Sequence, residues 1–225
     1  MPIRAALFDV GRVIVGFDTS RISHRLSKFS PFAVYHINDA IFRVYKNGER
    51  NELLKNFEEG GITAVDFYQQ VRVLIQASAE LTFERFLDIW PDIFYENPGI
   101  NDLLVELRKK GIVCVAISTT DEITRSWLVN NISAIRDHFA NPKSNVLSFR
   151  VGASKPNEKV WQAALDRVQC SPQEIVYIDD IKDLLKAFTQ FCKSLKRGMP
   201  NIIHYNCECE DSGVLRSKLE AIGVL

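Results

Sequence analysis

Ala5-Ala6-Leu7-Phe8-Asp9-Val10-Gly11-Arg12, followed by Val13-Ile14-Val15, opens the chain with an apolar run that stops abruptly on the Asp9 carboxylate. A strand buried on both faces reads as a continuous apolar run. In an open α/β sheet the ligand site lies outside the carboxyl ends of such strands. Asp9 is therefore the first candidate for chemistry.

The same pattern recurs twice, far along the chain. Ile112 to Ile117 is apolar and stops at Ser118-Thr119-Thr120, and Ile175 to Ile178 stops at Asp179-Asp180. Between them lies Gly152-Ala153-Ser154-Lys155-Pro156, which puts a lysine in a turn ahead of a helix. Ile100, Leu103, Leu104 and Leu107 stand at helical spacing, with Lys109-Lys110 at the helix end and Gly111 just past it. Thr119 with Glu122 reads as a capping box opening the next helix. Val146 to Phe149 reads as a short strand. Helices are expected from Pro156 through Leu165, from Lys182 to Phe191 and from Val214 to Ala221, and a strand over Ile202–Tyr205. Strand and helix alternate, which predicts an α/β fold with a parallel sheet in three layers.

From Asp18 to about Glu96 the text changes to helices alone. Pro31 to Tyr45, a segment opening at Thr63, and Phe83, Phe86, Leu87 and Trp90 carry helical spacing, with turns at Asn47-Gly48-Glu49 and at Glu59-Gly60-Gly61-Ile62-Thr63. Val13 to Phe17 reads as a short strand leading out to this insert.

The 225 residues carry 28 basic and 28 acidic side chains. A net charge of zero supplies no field toward nucleic acid or an anionic membrane. No apolar run approaches a membrane span, and a plain cytoplasmic protein is expected. The five cysteines have no framework spacing and read as reduced thiols. Cys207-Glu208-Cys209 with His204 lacks the further ligands that zinc needs. The four histidines are scattered, without paired metal spacing.

An aspartate, a hydroxyl, a lysine and an acidic pair, in that order and at strand ends, resemble the four motifs of the haloacid dehalogenase (HAD) superfamily. The subgroup with a small helical cap, akin to glucose-1-phosphate-type sugar phosphatases, is the nearer likeness. The resemblance implies a Rossmann-like core over residues 1–17 and 96–225 and a helical cap over 18–95. It implies a Mg²⁺-dependent phosphohydrolase of small phosphometabolites, sugar phosphates favoured. Asp9 would form an aspartyl-phosphate, with Ser118, Thr119 and Lys155 on the phosphate. Asp9, the Gly11 carbonyl, Asp179 and Asp180 would hold the ion, with Asp183 counted among the catalytic residues as a further oxygen donor near it. The expected partner is a small phosphorylated substrate, with no nucleic acid or membrane, and the protein a monomer or homodimer.

This chain departs from the family pattern in one important place. Family phosphatases usually carry an aspartate two residues after the nucleophile, which protonates the leaving oxygen, and here that position is Gly11. General acid help is typically worth about a hundred- to ten-thousand-fold. The glycine points to a substrate with a good leaving group or to slow turnover; the alternative is a HAD-fold protein that binds a phospholigand with weak or no catalysis. Arg12 and Thr119 also differ from the residues usual in the family at those places. A 2-haloacid dehalogenase fits less well, because that chemistry needs no metal and the acidic cluster looks built for one.

Overall fold

A computed structural model describes residues 1–43 and 51–225. Its strands are β1 (Ala5–Asp9), β2 (Val15–Phe17), β3 (Phe94–Glu96), β4 (Val113–Ser118), β5 (Asn145–Leu147), β6 (Ile175–Asp179) and β7 (Asn201–His204). Five of them form one parallel sheet in the order β5-β4-β1-β6-β7. The α/β class expected from the sequence holds. β1 lies at the centre, flanked by β4 and β6, and all five of its residues are buried.

Alternation along β1 explains the layers, because successive side chains point to opposite faces. Ala6 and Phe8 pack into one apolar cluster with α6 (Ile100–Lys109), α7 (Glu122–Asn131), α8 (Ser133–Phe139) and α12 (Ser212–Ala221). Ala5 and Leu7 pack into the other with α10 (Glu158–Val168) and α11 (Lys182–Ser194).

Between β2 and β3 the chain leaves the sheet. There α1 (Ser20–Leu26), α2 (Val34–Phe42), α3 (Glu52–Glu58), α4 (Ala64–Leu74) and α5 (Phe83–Ile89) bury a cluster of their own around Phe57, Phe67, Phe86 and Trp90. Phe57 and Phe67 stack at 4.1 Å between centroids, and Trp90 meets Phe67 edge-on at 4.7 Å. The four aromatic residues thus act as packing. Strands β2 and β3 pair antiparallel and carry the chain out and back. β3 was not expected, because its three residues are largely exposed and lack an apolar run. Tyr45 and the Asn47-Gly48-Glu49 turn lie outside the described residues.

Two local readings need correction. The expected Val146–Phe149 strand ends at Leu147, and Ser148 starts a helical turn, α9 (Ser148–Val151). The cause is the Ser148 hydroxyl, which accepts from Thr120 N at 2.8 Å and lies 2.9 Å from Thr120 O and 2.5 Å from Glu58 O. Nor is Thr119 a helix cap. Asp121 caps α7 by accepting from Thr124 N at 2.8 Å, and Glu122 instead accepts from Ala64 N of the insert at 3.0 Å. An aspartate caps as well as a threonine, and the shift leaves Thr119 and Thr120 free to line a cavity. No helix among the described residues is long and apolar enough to cross a membrane.

Candidate active site

The register of the sheet brings the polar strand ends together. Asp9 stands beside Ile117, one residue before Ser118, and Phe8 stands beside Ile178, one residue before Asp179. The chain fills one side of β1 first, with β4 and β5, and then crosses to β6 on the other side. That reversal is where open α/β sheets form a crevice. The loop that precedes the crossing carries Lys155, whose Nζ donates to Asp9 Oδ1 at 2.7 Å and to Asp179 Oδ2 at 2.9 Å. The lysine side chain is only 5% exposed. Lys155 thus bridges two strands from a third element.

The loop around Lys155 is held from the insert. Glu59, at the end of α3, accepts from Ser154 N at 3.0 Å and from Ser154 Oγ at 2.7 Å. Below the site, the Tyr177 hydroxyl donates to Asp179 Oδ2, and Ile181 N donates to Asp179 Oδ1 at 2.8 Å. Tyr177 and Asp179 are two residues apart on one strand, so they share a face. Asp179 is wholly buried and aimed by three donors.

Negative charge is crowded here. One oxygen each of Asp9, Asp179 and Asp180 fall within 4.8 Å of one another. Burial pushes the Asp9 carboxyl up to about 7, against the pull of Lys155 and with a further push from Asp179. Asp180 is raised too, by burial and by Asp179, although Arg12 opposes it. Burial works against the charge on Lys155, yet Asp9 and Asp179 outweigh it and hold its pKa above the usual lysine value. Three carboxylates facing one buried lysine leave an excess of hard oxygen donors, a set suited to a small divalent cation.

Asp183 does not join them. It sits in the first turn of α11, with a side chain 85% exposed and paired to Lys186 at 2.9 Å. Its sequence signal was that of any acid favoured at a helix N-terminus, and the expected catalytic place for it is withdrawn.

Beside the acids lies a cavity of about 330 Å³ between sheet and insert. Val10, Gly11, Ser118, Thr119 and Thr120 form its floor, and Phe42, Leu54, Trp90 and Ile93 its apolar wall, with Arg43 and Glu58 as polar members. Asp121 joins wall to floor, since its Oδ2 accepts from Trp90 Nε1 at 3.2 Å.

Sequence reasoning missed the surroundings of Arg12. Its φ of +56° lies in the left-handed region, uncommon for a residue with a side chain. Arg12 Nε donates to Glu208 Oε2 at 2.9 Å, its Nη1 lies 3.8 Å from Asp180 Oδ2, and its guanidinium sits 4.5 Å from the Phe17 ring centroid. Glu208 also accepts from Phe17 N at 3.4 Å and from Tyr95 Oη at 3.3 Å. Only Tyr177 could have been found from sequence, by the two-residue period of its strand.

The fold and the aspartate–lysine–diacid site define a hydrolase of the HAD type. A family model described as haloacid dehalogenase-like hydrolase matches residues 3–189. The chain belongs to that family and is an enzyme of the hydrolase class. A D-ribitol-5-phosphate phosphatase of Bacteroides thetaiotaomicron is 25% identical over 181 residues, spanning 79% of this chain and 83% of that protein. A HAD family enzyme of the same organism, solved with magnesium and inorganic phosphate, aligns with a TM-score of 0.73 at 20% identity, over 95% of this chain and 98% of that one. A HAD-like hydrolase of Porphyromonas gingivalis aligns at 0.74 and 16% identity, over 98% of each. These two likenesses concern the fold.

Proposed function

We propose that the protein is a Mg²⁺-dependent phosphohydrolase of small phosphorylated metabolites, sugar phosphates favoured, working through an aspartyl-phosphate on Asp9. The observation that carries this reading is Lys155 clasping Asp9 and Asp179 beside Asp180, next to a cavity that Val10, Gly11 and Ser118 line. Residues 18–95 act as the cap over that cavity. The name of the Bacteroides thetaiotaomicron relative and the magnesium and phosphate in the solved neighbour support it.

A phosphate monoester resists attack because its oxygens repel a nucleophile, so a catalyst must neutralise them and hold the nucleophile in line. Asp9 attacks phosphorus. Lys155 sets a fixed positive charge between nucleophile and phosphate, and the Ser118 and Thr119 hydroxyls donate to the phosphoryl oxygens. Asp9, Asp179, Asp180 and the Gly11 carbonyl would hold the ion. When bound, Mg²⁺ would supply charge neutralisation on the transferring group. The cap excludes bulk water from the cavity. A cytoplasmic place suits five thiols that are all free.

Phosphate release from a panel of sugar phosphates, nucleotides and p-nitrophenyl phosphate, with and without Mg²⁺, tests the reading. No release from folded protein would sink it. A second reading, a phospholigand-binding protein without turnover, draws on Gly11, Arg12 and Thr119. It predicts thermal stabilisation by phosphorylated ligands with no product formed.

A further inference from the structure

The end of α3 docks on the core at the loop that carries Lys155. The Ser154 backbone N donates to Glu59 Oε1 at 3.0 Å, and the Ser154 hydroxyl donates to the same oxygen at 2.7 Å. One residue earlier, Glu58 O lies 2.5 Å from Ser148 Oγ, the atom that also accepts from Thr120 N. A single turn of the insert thus touches the lysine's loop directly and, through Ser148, the loop after β4. Gly60 makes so close an approach possible. Its φ of +72° is left-handed, and a Cβ built on it would run into the Phe149 carbonyl oxygen of α9.

A lysine carries its charge on a flexible four-carbon stem, so where Nζ can reach depends on where its backbone is anchored. Asp9 and Asp179 hold Nζ at its tip. Asp9 is the nucleophile of the reading above and must turn toward phosphorus, so its contact with Nζ does not by itself fix the lysine through the reaction. The anchor lies one residue back. The Ser154 carbonyl accepts from Asn157 N at 2.9 Å, which ties it to the start of α10, while its N–H and hydroxyl go to Glu59. Of these ties, only Glu59 comes from the insert.

We propose that Glu59 is a positioning residue: reaching from the insert, it fixes the backbone of Ser154 and so sets Lys155 between Asp9 and the phosphoryl group. The inference rests on the phosphohydrolase reading above. Glu122 supplies the comparison, since it accepts from Ala64 N at 3.0 Å and so ties the same insert to α7 instead of to the lysine's loop.

The test is phosphate release from p-nitrophenyl phosphate with Mg²⁺, comparing wild type, Glu59→Ala, Glu59→Gln, Glu122→Ala, Lys155→Met and Glu59→Ala/Lys155→Met. Glu59→Ala is expected to lower kcat/KM by about a hundred-fold, the scale on which a misplacement of about 1 Å acts. Glu59→Gln recovers most of that loss, because its amide oxygen still accepts from both Ser154 donors. Glu122→Ala stays at the wild-type level. In the Lys155→Met background Glu59→Ala has no further effect, as expected of a residue that acts through the lysine; a merely structural role would lower the rate in both backgrounds. Glu59→Ala with wild-type kcat/KM overturns the inference. So does an equal loss in Glu122→Ala, a Glu59→Gln no better than Glu59→Ala, or losses that add in the double variant. If Lys155→Met releases too little phosphate to measure, the affinity for inorganic phosphate with Mg²⁺, read by calorimetry, completes the same cycle. If Glu59→Ala fails to fold, Ser154→Ala, which removes one of the two donors, takes its place, with a smaller loss that must again vanish in the Lys155→Met background. Release that Glu59→Ala leaves intact sinks this inference alone, whereas no release from folded wild type sinks the phosphohydrolase reading and this one with it.

Discussion

Replacing Lys155 with methionine removes the one cation that lies between two buried carboxylates and keeps a side chain of similar length. The Lys155 Nζ stands 2.7 Å from Asp9 and 2.9 Å from Asp179, and the lysine side chain is 5% exposed. Breaking a buried pair by removing one partner costs about 3–5 kcal/mol, because a charge is left without compensation. At about 2–4 °C per kcal/mol for a chain of this size, melting should fall by about 6–20 °C at neutral pH without metal. The sign of its pH dependence follows from the carboxylates. Asp9 already titrates at about 7 with Lys155 present, above its ordinary value, so the folded state loses stability as pH rises from the ordinary value through the raised one. Without the lysine that rise is larger, so the gap between variant and wild type should widen as pH rises above about 7, where Asp9 of the wild type has given up its proton and that of the variant has not. Mg²⁺ should restore more of the melting temperature in the variant than in wild type, since it replaces the missing charge. Thermal unfolding monitored by circular dichroism, at several pH values with and without Mg²⁺, reads all three quantities. A melting difference that is constant with pH and indifferent to Mg²⁺ would refute the bridging role of Lys155.

Other expectations follow from the same contacts. Because Asp9 must lose its proton to bind a cation, Mg²⁺ affinity by calorimetry should rise with pH up to about 7 and level off above it, with proton release on the acid side; affinity that ignores pH would contradict the crowding of charge. Tyr177→Phe removes one of the donors that aim Asp179, and should weaken Mg²⁺ binding by about 10–100-fold, as second-layer changes do, with little loss of far-UV signal. Asp183→Asn should leave kcat/KM at the wild-type level, since its carboxylate faces solvent beside Lys186. Phe67→Ala empties the centre of the cap cluster and should cost about 3–5 kcal/mol in urea unfolding; a cost far below that would mean that the cap core is not shared by these rings.

What could be read in the sequence was whatever the backbone made periodic. β1, β4 and β6 were legible because strands buried on both faces leave unbroken apolar runs, and Asp9, Ser118 and Asp179 followed as the places where those runs stop. Lys155 was reached through the family resemblance, since one lysine in a turn has no local signature. What was hidden depends on pairing across the chain. Glu208 lies 196 residues from Arg12 in sequence, yet holds it. Nearer in sequence, the Phe17 ring folds back toward Gly11, where a built Cβ would lie 2.9 Å from it, a return that no periodicity reveals. Asp183 misled because a cap-favouring acid and a ligand acid look alike in sequence, and only exposure separates them. The α7 start was misjudged for a similar reason: two possible caps stood two residues apart, and contact with the insert decided between them.

The central claim is that Asp9, clasped by Lys155 and backed by Asp179 and Asp180, transfers a phosphoryl group with the help of Mg²⁺. It is tested most directly by inorganic phosphate release from p-nitrophenyl phosphate and an anomeric sugar phosphate, with and without Mg²⁺, for wild type and Asp9→Asn. The account predicts release that needs Mg²⁺ and disappears in Asp9→Asn. Release that survives in Asp9→Asn, or no release at all from protein shown by its melting curve to be folded, would contradict it.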